Sequence, residues 1–346
     1  MCALSTSSNY RPYVAHSRQA VVNEQALHSE TTNPTATVVL TRPLVMSTHK
    51  VKKFQPAKDL LDSARVRLLA FWQEDDMEVE TDVNTKTGEI IIAENISLKS
   101  YQKYRESEPK LPVNIRLVNE KVIAYEVPLT PHGVVATRIT SLILAWNNQL
   151  IGGNEDDLII GPNSMYTADI SIRPIGRPRP PAGSSCNSLG LPYPTMVVEI
   201  GNSETIRSLH QLAVGYFSPQ TTIQIYLAIK LFPPRQNGTI AMLALLYLRT
   251  SPIPVIPITV TSFGTAPLGH PTLTVLEDIG IHHHAITGVG FGDNPCNNPG
   301  IQNYQIHIPA PELFNGVPGG IPAGAANGFD LDLRELQNVV RILLGL

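Results

Sequence analysis

Two acidic residues inside apolar segments are the strongest chemical signal in the sequence. Asp169 lies in the run ADISI (168–172) and Glu199 in the run MVVEI (196–200). A carboxylate buried in a strand is costly unless it binds a cation or pairs with a base. Two such carboxylates on neighbouring strands would offer the hard oxygen ligands that Mg²⁺ or Mn²⁺ prefers, and the ion could activate water and stabilise a phosphate undergoing cleavage. The pattern predicts a divalent metal site.

A structural interpretation of the same pair stays open. Asp169 could lie at a bend, and Glu199 could pair with Arg173, with Arg207 or with a backbone donor at the end of its strand. Two carboxylates are a weak motif by themselves. Their spacing therefore does not decide between a metal site and a structural pair.

Basic residues follow Asp169 closely. Arg173, Arg177 and Arg179 alternate with prolines in the loop after the strand, and this placement makes them candidate contacts for a phosphate. A solvated loop is the alternative interpretation. The formal net charge of -3 gives the whole chain no general attraction for nucleic acid, so DNA binding would depend on a local surface of this kind.

The composition is that of a globular protein. The 346 residues are 42% hydrophobic and 16% charged, and they contain no apolar run long enough to cross a membrane. The three cysteines are odd in number and far apart, which supports neither a disulfide framework nor a zinc knuckle. We expect a soluble intracellular protein, in the nucleus or the cytoplasm, with no membrane partner.

The elements around the two acids form an α/β pattern. A helix is predicted from Thr130 to Leu150, with Pro131 in its first turn and an apolar face for a sheet. Short apolar runs predict strands at 158–160, 168–172, 196–200, 223–229 and 240–248. A helix capped by Ser203 separates the third and fourth runs, which predicts two parallel strands joined by a right-handed crossover.

The chain is expected to divide into three parts. Residues 1–60 are polar and lack periodicity, which favours a disordered arm. Residues 61–95 form a lead-in subdomain or extension. Residues 96–346 form the main domain, with its core at about 96–250 and a Pro/Gly-rich extension at 251–346, where long loops surround two short strands. Asp332 and Glu335 form a capping box that predicts a helix at the end of this extension.

Several motifs resemble one nuclease family. They are His132, Ala168-Asp169-Ile170, the run from Val197 to Ser203, Tyr216 and the run from Ile223 to Leu227. Over residues 95–250 the chain resembles the putative restriction endonuclease domain family of the PD-(D/E)XK nuclease-like superfamily, and FDLDLREL (329–336) resembles its usual ending. The resemblance implies a restriction-endonuclease-like core, a mixed sheet flanked by helices, with Asp169 and Glu199 as metal ligands and His132 near the start of the helix before them.

The chain departs from that family at four positions. Gly201 stands where the superfamily has a lysine, and Gln211 and Leu212 are nearest to an alternative lysine position on the following helix. Arg116 stands where the family often has an acid, and Ile229 where it has an aspartate. Lys230 is the remaining candidate for the charge that orients water and stabilises the phosphate. Its alternative role is that of a strand-end lysine whose stem covers apolar surface.

Two functions are compatible with these residues. The first is a metal-dependent endonuclease that hydrolyses DNA, with Asp169, Glu199 and Lys230 as catalytic residues and Mg²⁺ or Mn²⁺ as cofactor. The second is a catalytically inactive nuclease-fold module that acts in protein or nucleic-acid interaction. A fold does not fix a function, so the geometry of the site must separate the two.

Overall fold

The computed structural model describes residues 54–74, 88–107, 110–181 and 183–346. Most of the predicted arm, residues 1–53, lies outside these ranges. Within its last residues, Phe54 is buried against the rings of Tyr101 and Tyr104, and the first helix begins at Lys58. All described residues belong to one unit, Lys50–Leu346.

Helices and strands alternate along most of the described chain. The helices are α1 Lys58–Glu74, α2 Leu98–Ser107, α3 Thr130–Trp146, α4 Ile206–Tyr216, α5 His270–Asp278, α6 Ala310–Leu313 and α7 Leu333–Leu344. The strands are β1 Ile90–Ala93, β2 Asn114–Val118, β3 Lys121–Glu126, β4 Leu150–Gly161, β5 Ser164–Pro174, β6 Met196–Gly201, β7 Ile225–Leu231, β8 Ala241–Leu248, β9 Thr259–Gly264, β10 Ile286–Gly288, β11 Gln305–Ile308 and β12 Phe329–Asp332.

A ten-stranded mixed sheet organises the described residues. Its order is β1-β3-β2-β5-β6-β7-β8-β9-β10, and β4 pairs with β5 as a further strand. β6 and β7 run parallel, and α4 connects them, which confirms the predicted parallel pairing. β11 and β12 form a separate antiparallel pair.

Helices cover both faces of this sheet. Val198 and Leu227 lie in one core with residues of α3 and α7, whereas Val197 and Tyr226 lie in a second core with residues of α4 and α5. Successive residues of a strand point to opposite faces, so a single apolar strand supplies both cores. The fold class, a mixed sheet flanked by helices, is therefore as predicted.

The helix boundaries differ from the predicted ones at two places. α3 ends at Trp146 instead of residue 150, because Leu150 already begins β4. The N-cap of α4 is Thr205, whose side chain accepts a hydrogen bond from the Ser208 amide, so the prediction of Ser203 as the cap is wrong. Tertiary contacts outweigh the local capping preference of Ser203.

The segment 251–346 contains more regular structure than the two short strands and the C-terminal helix expected for it, and the helix is confirmed as α7, which Asp332 caps. β9, β10, β11 and β12 lie there together with α5, α6 and α7. Elements of three or four residues are too short for a recognisable hydrophobic period, and the surrounding prolines and glycines mask them. Within the described residues, no helix combines the length and the apolar character needed to cross a membrane.

Candidate functional site: a buried carboxylate centre

Asp169 and Glu199 face each other across β5 and β6. The antiparallel register pairs Ile170 with Val198. Asp169 precedes Ile170 and Glu199 follows Val198, so the two acids are the next opposite pair along the strands. Side chains directly opposite in an antiparallel pair lie about 5 Å apart at Cβ. Both acids are buried, Asp169 with 6% and Glu199 with 2% of its surface exposed. The two residues named from the sequence therefore form one centre.

Asp169 is held by two donors of its own chain. Its Oδ2 accepts a hydrogen bond from the Ile200 amide at 2.7 Å and lies 3.0 Å from Nε2 of His132, in an ion pair that is not aligned as a hydrogen bond. Burial lowers the pKa of His132, but the Asp169 carboxylate more than offsets this effect and raises that pKa to about 9. His132 is therefore an imidazolium at neutral pH and supplies the charge that compensates Asp169.

Glu199 has a different environment. Its Oε1 accepts a hydrogen bond from the Tyr216 hydroxyl, while its Oε2 has no hydrogen-bond partner among the described residues. Burial, and then the neighbouring carboxylates of Asp169 and Glu204, raise the pKa of Glu199 well above its ordinary value. This shift favours the neutral form of the Glu199 carboxyl group.

A buried arginine lies beside these acids. Arg116 is 2% exposed, forms an ion pair with Glu204, and places its guanidinium 3.5 Å from the centre of the Tyr125 ring. Its Nη2 also lies 3.4 Å from the Ser208 hydroxyl, which in turn bonds Glu204. Burial raises the pKa of Glu204 to about 7, although Arg116 opposes that rise. The arginine thus supplies a permanent positive charge inside the centre.

The loop between β6 and α4 is clamped from two sides. Glu126 accepts hydrogen bonds from the amides of Asn202, Ser203 and Glu204 at 2.9, 3.1 and 2.8 Å. Lys230 donates from Nζ to the carbonyls of Asn202 and Glu204 at 2.6 and 3.0 Å. The Glu126 carboxylate therefore binds the amides of this backbone segment, and the Lys230 ammonium binds its carbonyls. The segment comes after Glu199 and Gly201 in the chain.

The other sequence candidates lie apart from the centre. Gln211 is exposed on α4. Arg173 lies on β5, four residues after Asp169. It forms an ion pair with Asp156 at 2.6 Å and donates a hydrogen bond to the Pro192 carbonyl. Four residues of strand span about 13 Å, so Arg173 does not pair with Glu199 as the structural alternative supposed.

Sequence reasoning did not identify Arg116, Glu126 and Glu204 as members of the centre. Arg116 and Glu126 are charged residues in the largely apolar segment IRLVNEKVIAYEV (115–127), and such residues need a partner if they are buried. That signal was present in the sequence. Their partners were not deducible from it, because they lie 88 residues away for Arg116 and 76 to 78 residues away for Glu126.

The donor set of the centre does not fit Mg²⁺ or Mn²⁺. Asp169 Oδ2 already engages an amide and an imidazolium, and Glu199 Oε1 already accepts a hydrogen bond from the Tyr216 hydroxyl. Arg116 and His132 already supply positive charge where a metal would supply it. In the part of the chain that the structure describes, no group of three or more His, Cys, Asp or Glu side chains is arranged to hold a metal ion.

Comparison with known proteins gave a loose structural likeness. No family model and no curated protein matches the chain. Among solved structures, the chain is similar to a "putative nuclease belonging to DUF820" from Anabaena variabilis ATCC 29413, at 16% sequence identity and a TM-score of 0.35. The likeness covers 49% of this chain and 84% of that chain. It concerns the fold only and is too loose to carry an argument about activity.

Proposed function

We propose that this chain is a non-catalytic protein with a restriction-endonuclease-like core that acts as an interaction module. The observation that carries the proposal is the state of Asp169 and Glu199. Both are buried, and donors of the same chain hold them. Carboxyl oxygens that already engage an amide, an imidazolium or a hydroxyl of the same chain are not free to bind a metal or a phosphate.

Hydrolysis would require a different arrangement. Metal-assisted cleavage of a phosphodiester needs an ion with open positions for water and for a phosphate oxygen. With 6% and 2% of their surfaces exposed, Asp169 and Glu199 are out of reach of a DNA backbone. The ammonium of Lys230 holds the carbonyls of Asn202 and Glu204, which supports a structural role for this lysine.

A protein partner is favoured over DNA. Stable binding to a duplex depends on several Lys or Arg contacts to phosphates. Near the centre, Arg116 pairs with Glu204, Arg173 pairs with Asp156, and Arg177 donates to the Tyr193 carbonyl and to Thr222. These guanidinium groups serve the chain itself, and the net charge of -3 adds no general attraction.

The second candidate function is a Mg²⁺- or Mn²⁺-dependent endonuclease. Two observations favour it: Glu199 Oε2 lacks a partner, and Lys230 lies beside Gly201, the position at which the resemblance expects a lysine. In this alternative the centre would have to open, with Asp169 and Glu199 as ligands and Lys230 near the phosphate.

Incubation with supercoiled plasmid in Mg²⁺, Mn²⁺ or EDTA separates the two functions. We expect no nicking in any of these conditions and no retardation of a labelled duplex at physiological salt. Asp169→Asn and Lys230→Ala proteins, purified in the same way, control for contaminating nucleases. Metal-dependent nicking by the parent that both variants lack would establish the endonuclease and exclude the non-catalytic proposal.

A further inference from the structure

A proline-rich segment follows β5 on the surface of the protein. It has the sequence RPRPP (177–181) and belongs to neither a helix nor a strand. Proline fixes its own φ, and the residue before a proline is restricted to extended conformations. Arg177, Arg179 and Pro180 each precede a proline, and the peptide bonds of the segment are trans. These restrictions favour a polyproline II helix.

The burial of these residues follows the three-residue period of a polyproline II helix. Arg177 and Pro180, three residues apart, are half-buried, whereas Pro178 and Pro181, also three residues apart, are exposed. Arg179 belongs to the third edge of the helix and is exposed as well. The segment therefore turns one edge towards the protein and presents two prolines and one arginine to solvent.

Hydrogen bonds hold the segment at both ends. The Arg177 guanidinium donates to the Tyr193 carbonyl and, at 3.2 Å, to the Thr222 hydroxyl. At the other end, the Pro181 carbonyl accepts a hydrogen bond from the Ser184 amide at 3.0 Å. A segment that is already fixed in an extended form loses little conformational entropy when a partner binds it.

The exposed groups are those that proline-binding domains recognise. Peptides with the pattern Pro-x-x-Pro dock their prolines on aromatic-lined grooves of SH3 and WW domains, which exploit the preformed polyproline II helix. Pro178 and Pro181 have this spacing and share the exposed edge. Arg179 forms no ion pair with an acid in the part of the chain that the structure describes, so its guanidinium can pair with a carboxylate of a partner.

We propose that residues 177–181 are a preformed ligand for a proline-binding partner domain. Aromatic rings of the partner would cover Pro178 and Pro181, and an acidic side chain at the rim of its groove would bind Arg179. The proposal rests on the proposed function as an interaction module and specifies the class of its protein partner.

A second pair of prolines in the chain serves as an internal control. Pro254 and Pro257 have the same spacing, but a hydrogen bond of 3.0 Å from the Ile256 amide to the Ile253 carbonyl closes a turn around Pro254. A turn cannot lie along an extended groove. This pair therefore has the sequence pattern without the conformation that a proline-binding domain requires.

Binding of the full-length chain to a panel of purified SH3 and WW domains, measured by fluorescence anisotropy, tests the proposal. At least one domain should bind the parent, and the double variant Pro178→Ala with Pro181→Ala should bind it at least about tenfold more weakly. Arg179→Glu should have a similar effect, because it places a second negative charge against the acid of the groove. The double variant Pro254→Ala with Pro257→Ala should bind like the parent.

The exposure of Pro178, Arg179 and Pro181 predicts thermal midpoints close to that of the parent for their variants, so a loss of binding would not reflect unfolding. The proposal would be overturned if no domain of the panel bound the parent, or if the Pro178→Ala with Pro181→Ala variant or the Arg179→Glu variant bound as tightly as the parent. Both results are independent of the plasmid assay, in which nicking by the parent would refute the proposed function itself.

Discussion

Gly201 and Lys230 are direct neighbours across the parallel pair of β6 and β7. A Cβ atom at Gly201 would lie 2.9 Å from Leu209 Cδ1 and 3.0 Å from the Glu204 carbonyl oxygen. A lysine at position 201 would therefore require the Leu209 side chain to move and the Glu204 carbonyl in the β6–α4 loop to shift slightly. The positive charge comes from the adjacent strand instead, and it holds this loop in place.

Lys230→Met should destabilise the protein by about 2–3 kcal/mol, because the buried carbonyls of Asn202 and Glu204 would lose their donor. Methionine keeps the apolar stem, so lost packing contributes little. Equilibrium unfolding in urea measures the change. Lys121→Met is the matched control: Lys121 is half exposed in an ion pair with Glu94, and its replacement should cost less than about 0.5 kcal/mol. Similar losses in both variants would contradict a clamp by Lys230.

Glu126→Gln should destabilise the fold by at least about 2 kcal/mol. Glutamine replaces one acceptor oxygen by an NH₂ group, which would face backbone amides of residues 202–204 that need acceptors. The same substitution at the exposed Glu120, which accepts a hydrogen bond from Asn163, should have little effect. Urea unfolding of the two variants side by side checks this, and a stable Glu126→Gln protein would show that the amides are satisfied in another way.

The two central acids should respond differently to neutralisation. Asp169→Asn removes the charge that compensates the His132 imidazolium, and we expect a loss of about 3 kcal/mol. Burial raises the pKa of Glu199 well above its ordinary value, which favours the neutral form, and glutamine keeps an acceptor for Tyr216, so Glu199→Gln should cost less than about 1 kcal/mol. Unfolding at neutral pH measures both. Equal, large losses would indicate that Glu199 is ionised and that the centre is charged as a metal site would be.

Stability should decrease with rising pH because of His132. Its pKa is about 9 in the folded protein, against an ordinary value of 6.5. The folded state therefore holds this proton more tightly, so the stabilisation is complete below about pH 6.5 and is lost as the pH rises through 9. His132→Gln should have a flatter profile over that interval. The acids that interact with His132 are Asp169, Glu126 and Glu155. Urea unfolding of parent and variant between pH 6.5 and 9 measures the two stability profiles. Parallel profiles would show that His132 does not titrate in this interval.

The sequence by itself determined the order and type of the central elements and the positions of the two acids. The apolar runs predicted β5, β6 and β7, and the helical spacing between the last two predicted their parallel pairing through α4. These features depend on local periodicity and on the handedness of crossovers, which a single sequence contains. The assignment of Asp169 and Glu199 to one centre depended in addition on the resemblance of the surrounding motifs to a nuclease family.

Only the tertiary structure decided what the centre is. β5 pairs with β2, β4 and β6, and this order brings the β2–β3 hairpin against the β6–α4 loop. Arg116 thereby meets Glu204, and Glu126 meets the amides after Glu199. The period of a strand specifies which face a side chain occupies, but not which distant strand lies beside it. The charge balance that separates a metal site from a self-contained ion network is therefore set by strand order, which local sequence patterns do not encode.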